Sequence, residues 1–105
     1  MSSVDRRLQL HQELINVLGS SNVYYQPSGI TKMNYPCIRY TRDRGRHMNA
    51  DNKTYIYRQA YQIMYIDQNP DNTVVDALIE HFSEISYNRH YVADNLNHDV
   101  LILYY

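Results

Sequence analysis

The chain has 105 residues, a formal net charge of -1, and 10 basic residues set against 11 acidic ones. That length suits one domain spanning 1–105, and that charge offers no broad field for drawing in DNA, RNA or an anionic membrane. A single cysteine, Cys37, excludes an internal disulfide and a thiolate metal cage, and no stretch approaches the ~20 apolar residues of a membrane span.

Cys37 therefore reads as a small apolar strand residue. The opening stretch MSSVDRRLQLHQ has no apolar core of secretory type, so the expected site of synthesis and assembly is the cytosol. Tyrosine is the compositional anomaly, at 12 residues against one Phe and no Trp. A large ring with a hydroxyl suits half-buried sheets and surfaces that meet other proteins. With three glycines and three prolines, turns must rely on Asn and Asp.

In chain order, residues 4–18 predict an amphipathic helix. Val4, Leu8, Leu10, Leu14, Ile15, Val17 and Leu18 share one half of the wheel, and Gly19 follows as a left-handed cap. Arg7 and His11 fall inside the apolar arc, which predicts an arginine snorkelling from an early turn and a satisfied buried or interface histidine. Residues 22–26 and 35–41 read as short strands, the second starting at or near Pro36. The stretch RDRGRHMNADNK is polar and reads as an irregular loop.

Residues 54–67 give the longest strand signal. The odd face of Tyr55, Tyr57, Tyr61, Ile63 and Tyr65 is the candidate core, and the even face is mixed enough to meet another protein. Asn72 is placed to cap a second helix over 73–82, with Val74, Val75, Leu78, Ile79 and Phe82 inward. Residues 85–92 alternate with Ile85, Tyr87, Arg89 and Tyr91 on one face, and 98–105 form a last strand. The fold class is therefore α+β, an antiparallel or mixed sheet of four or five strands with two helices packed on one face.

The last strand is apolar on both sides, Leu101, Leu103 and Tyr105 one way and Val100, Ile102 and Tyr104 the other. Two helices cover one face, so the other is expected to need a second molecule.

Signatures of catalysis are sparse. The three glycines are too scattered for a phosphate loop, no serine sits in a nucleophile elbow, and the five histidines show no metal-ligand spacing, so no catalytic, cofactor or metal residue is assigned. Asp94, His98 and Asp99 lie close in sequence, as a histidine oriented by a carboxylate does in a general base, but with no nucleophile near they read first as hairpin-turn residues. Arg39, Arg42, Arg44, Arg46 and His47 crowd one basic stretch; with no stacking aromatic inside it beyond Tyr40 to favour nucleic acid, it reads as docking to an acidic protein surface or as simple solvation.

Three stretches carry a resemblance: NVYYQPSGITKMNYPCIRY, ADNKTYIYRQAYQIMYIDQNPDN and SYNRHYVADNLNHDVLILYY. They are similar to the small minor structural proteins encoded in the tail-assembly region of long-tailed bacteriophages, and resemble tail terminators, or tail completion proteins. The match runs from about Leu8 to Tyr105. Its most specific part is Tyr91, Ala93, Asp94, Asn95, Leu96, Asn97, His98 and Asp99 with the closing Tyr104 and Tyr105, supported by Tyr35, Pro36 and Ile38 and by Asp51, Asn52 and Lys53.

The resemblance implies a homo-oligomeric ring in the head-tail neck of the virion, six copies in the well-understood cases. Such a ring caps the head-proximal end of the tail tube and offers its other face to the head-closure or connector protein. Its partners would be itself, the tube protein and the connector. No membrane, cofactor or sequence-specific nucleic acid is implied, though DNA passes through such a ring. The expected contact residues with the tube or connector are Arg42, Arg44, Arg46, His47, Asp51, Asn52 and Lys53, then Asp94, Asn95, Asn97 and His98, while the strand Tyr55 to Ile66 and the terminal strand with Tyr104 and Tyr105 are expected in subunit contacts. The neighbouring head-closure or adaptor class stays open as an alternative, as does a small enzyme using His98 and Asp94.

Overall fold

The computed structural model describes residues 2–50 and 54–105, with side chains at all of these except 3, 44–50 and 54–57. Helix α1, Ser3–Leu18, is fixed at both ends by local chemistry. The Ser2 hydroxyl accepts from the Asp5 N–H at 3.1 Å while the Asp5 carboxylate accepts from the Ser2 N–H. Gly19 takes a left-handed φ of 82° and returns its N–H to the Ile15 carbonyl. Helix α2, Val74–His81, starts where the Asn72 side chain accepts from the Val75 N–H at 3.2 Å.

Five strands form one mixed sheet: β1 Val23–Tyr25, β2 Cys37–Ala50, β3 Thr54–Asp67, β4 Ile85–Ala93 and β5 Leu96–Tyr104. Their spatial order is β1-β2-β3-β5-β4, with β1 parallel to β2 and every other pair antiparallel. Leu10 and Leu14 of α1, with Leu78 of α2 and Phe82 just beyond it, pack on Ile38, Tyr40, Tyr61, Ile63, Tyr65, Leu101 and Leu103. Both helices thus cover one sheet face, and the α+β class stands.

Several expectations need correction. The basic stretch is not a loop: β2 runs on to Ala50, pairing residue by residue with β3 as far as Ala50 against Thr54. Its polar composition hid this because no third strand pairs with it past Arg42, so no buried face imposes alternation there. The aromatic face expected on β4 is divided by a bulge. Asn88 is the extra residue between Tyr87, opposite Leu101, and Arg89, opposite Val100, so Arg89 and Tyr91 face away from the helices.

On the helices, Val4 and Leu8 stand more than half exposed at 59 % and 53 %, and Ile79 is 43 % exposed rather than inward. Of the expected core face on β3, Tyr61, Ile63 and Tyr65 are buried, while the side chains of Tyr55 and Tyr57 lie outside the described residues.

The face opposite the helices also differs from expectation. Val100 and Cys37 are 0 % exposed there, with Ala60 and Ile66 close to it, in the single chain. Long side chains lie over them. Met64 and Arg89 flank Val100 across the ladder, the Tyr91 hydroxyl donates to the Met64 sulfur, Tyr91 stacks on His98 at 4.6 Å, and the Arg89 guanidinium lies over the Tyr91 ring. Burying Val100 therefore takes no second molecule.

This roof has a measurable consequence. Leu101→Ala, under the helices, is expected to cost about 2–5 kcal/mol in urea unfolding of dilute protein, and Val100→Ala about 1–3 kcal/mol. A Val100→Ala cost near zero would show that the open face is not covered from within.

Candidate docking surfaces

Because β3 is antiparallel to both neighbours, its direction sorts the expected contact residues to two ends. Thr54 meets Ala50 at one end, while Asp67 meets Asn97 at the other. The first end is an arm. From Gly45 against Gln59 to Ala50 against Thr54, six residue pairs form a two-stranded ribbon, about 20 Å long at ~3.4 Å per residue. It contributes to a long axis of 50 Å against 26 and 22 Å.

Arg44, Arg46 and His47 lie on this ribbon by backbone position, and Asp51, Asn52 and Lys53 lie outside the described residues. Arg42 is exposed at its base, where the Arg42 N–H is held by the Gln26 side chain at 3.2 Å. A bulge sits there, with Asp43 and Arg44 both fitting between the pairs Arg42 to Tyr61 and Gly45 to Gln59. The Gln59 amide donates to the Asp43 carbonyl at 2.6 Å and closes the irregularity.

At the opposite end, Asp94 and Asn95 have φ of 53° and 61°, the pair of left-handed residues that a two-residue hairpin turn requires. The turn is confined to them, and Leu96, Asn97 and His98 already belong to β5. Asn97 donates to the carbonyls of Asp67 and Gln68 and receives His90 at 3.0 Å, so it ties this end together. His98 directs Nδ1 at the Leu96 carbonyl, 3.0 Å away, and its ring is stacked on Tyr91. No hydrogen bond among the described residues joins His98 to Asp94.

The arm and the turn are therefore not brought together. Tyr104 and Tyr105 lie near the base of the arm, Tyr104 opposite Ala60 and Tyr105 with its N–H on the Gln59 carbonyl. The Tyr105 hydroxyl bonds to the Glu13 carboxylate, the Arg6 guanidinium lies 4.5 Å above the Tyr105 ring, and Phe82 meets it edge-on. Burial, followed by the Glu13 bond, pushes the Tyr105 hydroxyl up to about 12. Tyr105 thus stitches the chain end to α1.

The snorkelling and satisfied roles expected for Arg7 and His11 hold. Arg7 lies 4.4 Å over the Tyr25 ring, and His11 Nδ1 is 2.7 Å from the Tyr40 hydroxyl. Burial, with the Arg7 charge, lowers the His11 pKa. Cys37 is buried and its thiol is pushed up to about 11 by desolvation, consistent with a packing role. Among the described residues, no three His, Cys, Asp or Glu side chains converge to hold a metal, and no helix is long and apolar enough to cross a membrane.

One polar centre escapes a reading of the sequence alone. Asp99, 8 % exposed, accepts from the Tyr87 hydroxyl at 2.7 Å and lies 3.5 Å from the Asn72 amide, which links β5 to β4 and to the first turn of α2. Its spacing to His98 suggests turn or acid-base chemistry. Only the β-sheet parity, which turns Asp99 to the face of Leu101 and away from His98, separates the two.

Glu13 accepts both from Tyr105 and, at 2.8 Å, from His81, and so joins the two helices to the chain end. Burial tends to raise its pKa, but the Tyr105 and His81 bonds and the Arg6 and His81 charges outweigh this and leave it below 4.5. A carboxylate depressed on folding contributes stability above its unfolded pKa and loses it as pH falls through the folded value. The stability difference between the natural chain and Glu13→Gln is therefore expected to be full at pH 6 and to shrink steadily below about pH 4.5, followed by thermal unfolding. A difference independent of pH would remove Glu13 from this role. Neither a protein-family model nor a curated protein matches the sequence.

Proposed function

We propose that this chain is a ring-forming assembly protein of the phage neck, a tail terminator that caps the head-proximal end of the tail tube and presents a second surface to the head connector. The observation that carries this reading is the separation of the two candidate surfaces along one sheet. The basic ribbon leaves one end of β3, and the Asp94 to Asn95 turn closes the other.

A protein that joins two different rings acts by geometry and needs two unlike ends held at a fixed spacing. A ribbon with no third strand beside it gains little from its own fold, so its length is accounted for by contact with another molecule. The resemblance of the Tyr91 to Asp99 stretch and the closing tyrosines to tail-terminator sequences gives that contact its identity. The buried thiol and the separation of His98 from Asp94 add nothing to an enzymatic reading.

Tails assembled without the protein, viewed by negative-stain microscopy, are expected to be overlong, and tails assembled with it to end in a ring. Tails of unchanged length that merely fail to join heads would assign the protein to the head-closure or adaptor class. In the same assay Arg44→Glu with Arg46→Glu is expected to lower the yield of joined particles about tenfold or more, as charge reversal at a complementary interface costs on the order of 1–3 kcal/mol. Normal yield from this variant would remove the basic ribbon from docking.

A further inference from the structure

The sandwich has two outer surfaces, the helix layer on one side and the bare sheet face on the other, and they differ in charge. On α1 the exposed Val4, Asp5, Leu8, Gln9, Gln12 and Asn16 fill an arc of about 140° at 100° per residue, facing away from Leu10 and Leu14. Arg6 and Arg7 fall outside that arc, half-buried, with their guanidiniums on the rings of Tyr105 and Tyr25. On α2 the exposed Asp76, Ile79 and Glu80 fill an arc of about 100° facing away from Leu78. The layer therefore presents three acids, Asp5, Asp76 and Glu80, among three exposed aliphatics, Val4, Leu8 and Ile79. Among the described residues neither helix exposes a Lys or Arg, and His81 is held by Glu13.

On the bare face, the pairing register lines side chains up in rows across the strands. The central row is Tyr24, Arg39, Met64, Val100 and Arg89, and the row beside it sets Gln62 and Ile102 between Thr41 and Ser86. No Asp or Glu stands in these rows, nor in the row of His98 and Tyr91 on the other side. Further out lie Asp43 and the Arg58 to Glu84 pair, at 3.5 Å, toward the arm, and Asp94 toward the turn.

Arg39 and Arg89 stand about 14 Å apart, three strand spacings of ~4.8 Å, with Met64 half-buried between them. Among the described residues neither has a hydrogen bond or an ion pair, and the contact of Arg89 is the Tyr91 ring. Arg39 is half-buried, and a guanidinium held partly out of water without an acceptor is stabilised by a carboxylate brought to it. The acids that could do so, with aliphatic surface between them, are those of the helix layer. Two copies meeting by their helix layers would oppose acid to acid, and two meeting by their bare faces would oppose arginine to arginine.

We propose that the helix layer of one copy, through Asp76, Ile79 and Glu80 with the exposed arc of α1, seats on the bare sheet face of a second, with Arg39 and Arg89 taking its carboxylates. The contact is heterologous, so it leaves each copy one free surface of each kind and repeats helix layer to sheet. It supplies the ring reading with a subunit contact and rests on that reading for closure alone. The pairwise contact is testable in the isolated protein.

The test replaces Gln62, in the middle of the bare face, by the photo-cross-linking residue p-benzoylphenylalanine and irradiates concentrated protein. The expected product is a covalent dimer whose linked peptide, by mass spectrometry, contains residues 4–16 or 76–81 of the second copy. Its yield is expected to fall about fivefold or more when the labelled chain also carries Arg39→Glu and Arg89→Glu, and likewise when it carries Asp76→Lys and Glu80→Lys instead. Mixing the labelled Arg39→Glu, Arg89→Glu chain with an unlabelled Asp76→Lys, Glu80→Lys chain is expected to restore the link, since the two reversed surfaces again carry opposite signs.

A link from position 62 to residues 37–41, 60–66 or 86–104 of the second copy would mean that like faces meet and would overturn the proposal. So would a link elsewhere, no dimer, or a mixture that stays unlinked. A terminal ring on tails without the link from position 62 to the helices would sink this contact and leave the terminator reading intact. The link with tails of unchanged length would do the reverse.

Discussion

The structure depends on the backbone ladder of β3. From Gln59 to Ile66 the strand is bonded on both sides, to β2 and to the β5 end of the chain, and from Thr54 to Arg58 on one side only. In the doubly bonded half, Tyr61, Ile63 and Tyr65 are buried under the helices while Ala60 and Ile66 are buried on the reverse. A slip of one residue would exchange those two sets, so register there is strongly held. The singly bonded half inherits that register by continuity of the chain. One strand thereby sets the spacing between the arm and the far turn.

The tyrosine excess takes on a different meaning once the rings are placed. Tyr40, Tyr61 and Tyr65 are buried, and the hydroxyls of Tyr40 and Tyr65 reach the rim to meet His11 and Asp67. Tyr87, Tyr91 and Tyr105 likewise end on Asp99, Met64 and Glu13. In a sandwich with helices on one side only, core rings lie close to solvent, and a tyrosine buries the area of a phenylalanine while its hydroxyl finds a polar partner. Much of what composition alone attributes to an interface is thus the chemistry of a thin core.

Elements held by local chemistry were legible in the sequence. Both helices, the Gly19 cap and the extent of β3 follow from period, capping residues and turn residues that act over three or four positions, and Asn72 bonds the first turn of α2 from one residue before its Thr73 N-cap. The hidden features depend on chain partners distant in sequence. The continuation of β2 through Arg42 to Ala50 is set by β3, and the polar run gives no periodic sign of it. The Asn88 bulge appears only when β4 is laid on β5, and it moves Arg89 and Tyr91 to the opposite face without altering the alternation written in the sequence. Ile79 fits the apolar arc of α2, and its exposure reflects where that helix lies at the edge of the sheet.

The two bulges lie where the molecule changes character. On β2 the extra residue falls between Arg42 and Gly45, where the neighbourhood of α1, β1 and β3 gives way to the free ribbon, and Gln59 braces the Asp43 carbonyl there. On β4 the extra residue falls between Tyr87, which serves the Asp99 network beneath the helices, and Arg89, which serves the roof over Val100. A bulge increases local twist and re-aims the strand beyond it. In the first case the strand beyond the bulge is the arm, and in the second it supplies long side chains to a face with no helix. The β4 irregularity places Arg89 and Tyr91 where regular pairing would have placed Asn88 and His90, which is how a sheet covered by helices on one side covers Val100 from its own chain on the other.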